Sequence, residues 1–583
     1  MHRKIMKRLS YLLITVALLV CQSCSDYFLQ KPQSNDVTVA EVFASKENAM
    51  TAIAQAYSDG LRINIVLNQD SSNSYGLEYC GICLISGENM GYRYNWQDPV
   101  MVSMNGMSAT DANRRIDSYD YNFTAIRRCY TVRDNIDMVP DMTAEEKAHV
   151  KAEMTALVAY RYCRMLIQYG GVPIIKGVID FGQRGMVRQP VKDVLDFIIT
   201  LCNEAMAIGL PDKWDNANIG RMTKGAVLSI KAQALLYCAR PLFNTNTPYL
   251  QMRSGSNSLI CMGAAPDREL WERARDAAQD VIDWANQTGA CRIINTGDPL
   301  NDYGRACAAP DSEEVILALN HVENGGYDPR TEGGAANNMT YEQLKQYYTV
   351  DGKDQTWPIS PATGTKDEYI TKLEQMEPRY WASATPGGYD CKTNTSYAWT
   401  SGPLAWASSW EGRVNIEHCG RRTKMWYKAE GRTWFNFPIY RLAYFYLALA
   451  EAENELDNPA AALSALKVIR DRAGLQNITV TDKTALRKAI QREWAIEFYE
   501  ENDRLFAVKH WKLPDLGNGI IGGDKLAFWF EYDPNNRNSW TINNYVSFTV
   551  KSHYTAFWGD NQYLNPFPQN EVNKGELIQN PGY

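Results

Sequence analysis

Apolar residues return at three- and four-residue steps over much of the chain, the pattern of helices that bury one face. Between 148 and 169, Ala156, Ala159, Tyr160, Cys163 and Ile167 share a stripe, and Gly170, Gly171 and Pro173 end it. Further helices are predicted over 223–239 and 270–285, with a polar loop carrying Pro and Asn between them. Ile439, Leu442, Ala443, Tyr446, Leu449 and Ala450 form the next stripe, broken at Asp457-Asn458-Pro459, where Asn can cap and Pro can open a helix. Its partner sets Ala462, Leu466, Ile469 and Ala473 inward and stops at Gly474. Another helix starts at Asp482 and spaces Leu486, Ile490, Trp494 and Phe498 four apart. Antiparallel helix pairs with small-residue seams predict a mainly α, tetratricopeptide-like scaffold with minor β, without a strict repeat of about 34 residues.

The pattern changes between 291 and 436, where Gly, Asn, Pro and aromatic residues replace the apolar period and predict short strands and extended loops. Such a loop-rich insert is where ligand contacts are expected. Trp381, Trp399, Trp406, Trp410, Trp426 and Trp434 lie there, six of the chain's 16 tryptophans. Trp426 and Trp434, close to the helix after them, are assigned to the core. Trp399, Trp406 and Trp410, separated by Gly, Ser and Pro, are candidate ligand contacts, with burial beneath the loop an equal alternative. Earlier in the chain, Tyr92-Arg93-Tyr94-Asn95-Trp96 alternates. In an extended segment Tyr92, Tyr94 and Trp96 share one face, with Arg93 and Asn95 on the other. A flat aromatic face with amide donors nearby suits the C–H face and hydroxyl rim of a sugar ring; packing in a core hairpin is the competing reading.

The 583 residues are 45% hydrophobic and 22% charged, enough to bury a large core, which excludes disordered and collagen-like classes. The net charge is −7, and −11 without the first 23 residues, which hold four basic and no acidic side chains. That balance argues against a nucleic-acid surface.

Lys4, Lys7 and Arg8 precede an apolar run from Tyr11 to Val20 that is too short to span a bilayer, so 1–23 reads as a secretory signal. Cys21-Gln22-Ser23-Cys24 resembles the lipobox of bacterial lipoproteins, although Cys21 stands where Leu is usual. Cys24 is the expected acylated N-terminus, 24–36 a tether, and 37–583 a single domain holding the insert. Thirteen cysteines less Cys21 and Cys24 leave 11, an odd number at irregular spacing, which predicts buried thiols rather than a disulfide framework. Cys80-Gly81-Ile82-Cys83 has no companion pair to complete a zinc site.

Gly517-Asn518-Gly519-Ile520-Ile521-Gly522 spells a dinucleotide-binding string in the wrong context, after a Pro514 turn and before the aromatic run Phe528-Trp529-Phe530; it reads as a flexible loop. No HExxH, Walker loop or nucleophile elbow occurs. Asp351 and Asp354 lack the rest of a calcium loop. No catalytic residue, metal or cofactor is assigned, although two acids acting on a glycosidic bond would leave no sequence signature.

Several segments together resemble one family, the SusD/RagB-type outer-membrane lipoproteins. The closing Leu564-Asn565-Pro566-Phe567-Pro568, Glu571-Val572 and Gln579-Asn580-Pro581-Gly582-Tyr583 match its signature. So do Glu153 to Tyr162 with Tyr169-Gly170-Gly171-Val172-Pro173, Tyr440-Arg441-Leu442-Ala443, Ala450-Glu451-Ala452 and Ile469-Arg470-Asp471-Arg472-Ala473-Gly474. Arg492-Glu493, Glu497, Glu501, Arg504 and Trp511 fit as well, with Asn502, Ala507 and Val158 as departures where Gly, Asp and Arg are usual. The matched Arg and Glu residues read as structural. The resemblance implies a helical body with an irregular ligand-binding face, lipid-anchored at the surface of the outer membrane. It also implies a SusC-like TonB-dependent transporter as partner and a glycan as ligand. On this reading Trp96, Tyr92, Tyr94, Asn95, Trp399, Trp406 and Trp410 contact a sugar that is bound and handed on unaltered. Oligopeptide capture, and less so a surface glycoside hydrolase, stay open at this point.

Overall fold

The computed structural model describes residues 38–61, 90–92, 103–110, 119–179, 186–253, 255–323, 337–357, 363–386, 389, 392, 416–417, 419–428, 432, 434–501, 503–532, 535 and 545–583. Helices dominate. Those before the insert are α1 (Lys46–Gly60), α2 (Tyr119–Asn135), α3 (Ala144–Tyr169), α4 (Val191–Ile208), α5 (Lys224–Ala239) and α6 (Arg268–Thr288). Each packs on the next in sequence, the arrangement of stacked helix pairs. Thr143 opens α3 with a capping box, its hydroxyl accepting from Glu146 N (3.1 Å) while the Glu146 carboxylate accepts from Thr143 N (2.8 Å). The sequence predicts one buried stripe on this helix; instead every residue from Ala152 to Tyr169 is buried. Neighbours α1, α2, α4 and α5 cover it from several sides, and Ala152, Ala156 and Ala159 supply the small surfaces that close helix contact needs.

The helix pairs resume far along the chain with α10 (Leu442–Glu455), α11 (Pro459–Arg472), α12 (Lys483–Glu497) and α13 (Arg504–His510), after α7 (Pro299–Ala308), α8 (Lys366–Glu374) and α9 (Pro378–Ser383). Because α6 packs directly on α10, the segment 289–441 is spliced between two neighbouring helices of the stack. That segment carries α7, α8 and α9 as well as the strands the sequence predicts there. Asp298 caps α7 by accepting from Asn301 N (3.3 Å), with Pro299 in its first turn. Ile439, read from sequence as the start of a helical stripe, lies instead in a strand, Trp434–Arg441, whose buried Phe435 and Phe437 alternate with half-buried neighbours.

The described strands are β1 (Met90–Tyr92), β2 (Val315–Glu323), β3 (Asn337–Met339), β4 (Thr363–Thr365), β5 (Ala384–Thr385), β6 (Ile416–Glu417), β7 (Arg421–Arg422), β8 (Trp434–Arg441), β9 (Gly523–Tyr532) and β10 (Tyr545–Ala556). They form an antiparallel β2–β8 ribbon and two small sheets, ordered β1-β3-β7-β5 and β4-β10-β9-β6. The insert region owns a second core, rich in rings: Trp357, Tyr369, Phe528, Phe530 and Phe548 pack with centroids 5.1–6.4 Å apart. The glycine-rich 517–522 segment is not a free loop. It folds into a turn in which Gly519 N donates to Gly522 O (2.7 Å), and the buried Lys525 donates to the Gly519 and Ile520 carbonyls (2.8 Å each). Strand β9 follows, so there is no helix N-terminus for a phosphate.

The closing residues bind the chain back onto α3. Asn580 Nδ2 donates to Tyr169 O (3.1 Å) and Asn565 O (2.7 Å), and Gln579 bridges both the N–H and the carbonyl of Phe567 (2.8 Å each). Arg188 donates to Gly171 O (2.7 Å), Ile578 O (2.8 Å) and Asn580 Oδ1 (3.0 Å). Gly171 leaves no room for a side chain, since a Cβ there would stand 2.1 Å from Gln189 O. Eight cysteines from Cys129 to Cys419 are free and buried, as the sequence predicts for most.

A charged seam joins insert to scaffold. Among the described residues, five cations (Arg379, Lys424, Arg441, Arg470, Arg472) meet five carboxylates (Glu314, Glu377, Glu493, Glu497, Glu501), all buried or nearly so. Arg441 donates to Glu314 (2.8 Å), Glu497 (2.6 Å) and both oxygens of Glu501 (2.8 and 2.9 Å). Arg379 donates to Glu377 (2.7 Å) and Glu493 (2.8 Å), and Arg472 to Glu314 (3.1 Å) and Glu497. Burial raises the Glu497 carboxyl, but Arg472, Arg441, Arg379 and Lys424 outweigh it and hold Glu497 below the usual carboxylate range. Of the Arg and Glu residues that carry the resemblance, Arg441, Arg470, Arg472, Glu493, Glu497 and Glu501 are thus held in buried ion pairs.

Candidate ligand-binding face

Of the residues singled out from sequence, Tyr92 is the last residue of β1, paired with Asn337 of β3. Tyr94, Asn95, Trp96, Trp399, Trp406, Trp410 and Cys24 lie outside the described residues. The backbone nevertheless relates the two aromatic segments. Segment 92–96 follows β1 of the β1-β3-β7-β5 sheet, and the stretch that carries Trp399, Trp406 and Trp410 lies between β5 of the same sheet and β6 of the other. Asn338 pairs with Arg421, and Arg421 with Thr385. β1 and β5 are three strands apart, about 14 Å at the usual strand spacing. β1 ends level with Asn337 of β3, whereas β5 ends towards the Met339 side, so the two segments border one small sheet from opposite strand ends.

The platform is held from below. Met339, Ala384 and Cys419 are buried under it, and Met339 N donates to Gly420 O while Cys419 N donates to Met339 O (2.9 Å each). Gly420 has φ +135°, and a Cβ there would stand 2.8 Å from the Ala384 Cβ, so the approach of β7 to β5 needs glycine. The Tyr380 hydroxyl donates to Cys419 O (2.8 Å), tying the sheet to α9 and, through Arg379, to the charged seam.

The other tryptophans divide. Trp381 is buried, with the Lys392 ammonium 3.3 Å from its ring centre and Tyr389 at 5.3 Å. Trp434, assigned to the core from sequence, is only half-buried: it stacks on the exposed His321 ring (centroids 3.9 Å apart, planes at 26°) at the outer end of the β2–β8 ribbon, with the Arg432 guanidinium 4.9 Å from its centre. It occupies the ribbon's last pair, opposite Glu323, where the scaffold no longer covers it. Sequence reasoning missed this stack, although the alternation from 434 to 438 carried the signal. Trp426 lies in the Lys424–Trp426 turn.

The described carboxylates that gather in one place are those of the seam, and their oxygens are taken by guanidinium and ammonium groups away from water. Glu342 is different: burial pushes its carboxyl up to about 7 despite Lys525 nearby, and it accepts from Leu526 N (3.2 Å). It fastens the second core to β9. Among the described residues no group of His, Cys, Asp and Glu could hold a metal, and no helix is long and apolar enough to cross a membrane.

A helix-pair scaffold with a spliced, sheet-containing insert is a mainly α architecture of the helical-repeat class. The SusD family model matches residues 293–583, and a second model, described as starch-binding associating with outer membrane, matches 31–236. The chain belongs to the SusD/RagB family. No curated protein matches it in sequence. It is similar in fold to a SusD-like protein from Bacteroides fragilis (20% identity, 93% of this chain and 98% of that one, TM-score 0.72). A SusD-like carbohydrate-binding protein from the same species (17%, 91% and 98%, 0.65) and surface glycan-binding protein A from Bacteroides thetaiotaomicron (16%, 92% and 99%, 0.55) share the fold too.

Proposed function

We propose that this protein captures an oligo- or polysaccharide at the cell surface and delivers it, chemically unchanged, to a SusC-like TonB-dependent transporter in the outer membrane. Tyr92, Tyr94, Asn95 and Trp96 grip the ligand from one side, and Trp399, Trp406 and Trp410 from the other. The observation that supports this reading is that both aromatic segments adjoin strands of one small sheet, 92–96 after β1 and 386–415 after β5. Its support from relatives is the carbohydrate- and glycan-binding activity named for proteins of the same fold.

Acylated Cys24 anchors the protein, and the 13-residue stretch 24–36 reaches at most about 45 Å when extended, enough for the body to swing over a transporter mouth. Two or three stacked rings at roughly 1 kcal/mol each, with several hydrogen bonds of similar net worth, give about −4 to −6 kcal/mol, or millimolar to tens of micromolar. A carrier that must release its cargo suits that range, and a polymer with many repeats raises the apparent strength. Migration through native gels cast with starch, laminarin, xylan or mannan tests the proposal: at least one polysaccharide should retard the protein, and recovered oligosaccharide should keep its length. Shortened products would make it a hydrolase, and free migration in every gel alongside retention of oligopeptides would make it a peptide carrier.

A further inference from the structure

A cavity of about 490 Å³ opens between helix pairs of the scaffold, and no residue of the 291–436 insert lines it. That volume falls in the range of small-ligand sites, about 300–1,000 Å³. Ile490 of α12 and the buried Trp511 after α13 form its floor. One wall is Trp271 of α6, half-buried with its inner edge against the main core, beside the exposed Pro266.

The walls are fixed before any ligand arrives. Asn244 donates to Asp267 O (2.9 Å) and accepts from Asp267 N (2.7 Å), and Asp267 in turn accepts from Glu269 N (2.9 Å) to cap α6, which sets the turn that carries Trp271. Across the cavity Arg487 binds both oxygens of Glu455, and Asn454 donates to Lys483 O (3.1 Å). Beneath, Trp511 Nε1 donates to Glu451 (2.7 Å), which Arg240 grips with two bonds of 2.9 Å. The carboxylates in the lining thus already have their cations. The rest of the lining includes the Trp271 indole and two prolines, with Gln491 and Lys512 beside them. An anionic nucleotide or an acidic peptide would meet carboxylates already paired; an uncharged ring with an apolar C–H face and a hydroxyl rim matches both the indole and the amide edge.

We propose that this scaffold cavity is a second saccharide site, separate from the loop face, taking a neutral mono- to trisaccharide stacked on Trp271 and hydrogen-bonded by Gln491. Full-length mature protein carrying Trp96→Ala and Trp399→Ala, which weakens the loop face, provides the background against which the Trp271 and Gln491 substitutions are read. Saturation-transfer NMR titrations with maltotriose, cellotriose and laminaritriose, and with triproline as the rival occupant, then read the cavity. At least one trisaccharide should still bind in the millimolar range. Adding Trp271→Ala should weaken it roughly five- to tenfold, the scale of one lost ring contact, and Gln491→Ala should weaken it less. Circular dichroism checks that both variants fold, and the milder Gln491→Ala keeps the test decisive if Trp271→Ala does not. Trisaccharide affinity unchanged by both substitutions, no sugar signal at all, or a preference for triproline would overturn the assignment, and none of these results bears on the loop face.

Discussion

Scaffold and insert are held together by different physics. The scaffold closes mainly with alanine, aliphatic and tyrosine side chains, as along the buried part of α3, with separate buried ion pairs such as Arg240–Glu451 and Arg221–Glu153. The insert region closes with interlocked rings around Phe528 and Tyr369, and its attachment to the scaffold is a set of buried, directional ion pairs. Apolar packing alone would let a spliced segment settle in several orientations. The fork of Arg441, with donors engaged by Glu314, Glu497 and Glu501, accepts one.

Breaking the seam should have the largest effect. Arg441→Ala strands Glu314, Glu497 and Glu501 without a principal partner and should cost about 3–5 kcal/mol. Near-UV ellipticity of the insert should be lost at lower urea than the helical far-UV signal, and coincident transitions would contradict the separate roles of the two regions. Gly171→Ala sets the scaffold's own limit: with a carbonyl oxygen 2.1 Å away, about 2–4 kcal/mol should be lost, while Gly177→Ala, which meets nothing within 4 Å, should be neutral in the same melts.

Glu342 gives the insert region a pH signature. Its folded pKa of about 7 lies above the ordinary 4.5, so the folded state holds the proton between those values and the unfolded chain does not. Stability from this group is present below about 4.5 and falls as pH rises toward 7. Glu342→Gln keeps an acceptor for Leu526 N and should stabilise by about 2 kcal/mol at pH 8, with little change at pH 4; melting curves at the two pH values check the sign. The smallest effect belongs to the scaffold's surface: Thr143→Ala removes a capping box and should cost about 1 kcal/mol without separating the two transitions.

The scaffold was legible where the periodicity was its own. Helices α3, α5, α6, α11 and α12 follow from apolar stripes, caps and glycine stops that lie within a few residues of each other. Helix α10 starts later than predicted because Phe435 and Phe437 alternate into it as a strand, and a continuing apolar pattern hides the change of period. The seam was not legible, since Arg472 and Glu314 are 158 residues apart and Arg379 and Glu493 are 114 apart. Helix α7 is short and draws its burial from contacts made late in the chain. For the site, Tyr92 closes β1, but no local signal announces that β1, β5 and β7 share a sheet. Trp434 shows the reverse error, a ring placed in the core by its neighbours in sequence and left half-open by its position at a ribbon's end.

The central claim is that the aromatic segments following β1 and β5 form one saccharide site. Calorimetric titration of the mature protein with an oligosaccharide of the polymer that retards it tests this most directly, comparing Trp96→Ala and Trp399→Ala singly and together. Each single change should weaken the same binding event by roughly five- to tenfold with melting temperatures unchanged, and the double variant should reduce it further. Affinity untouched by either substitution in a protein that still binds the sugar would contradict the account.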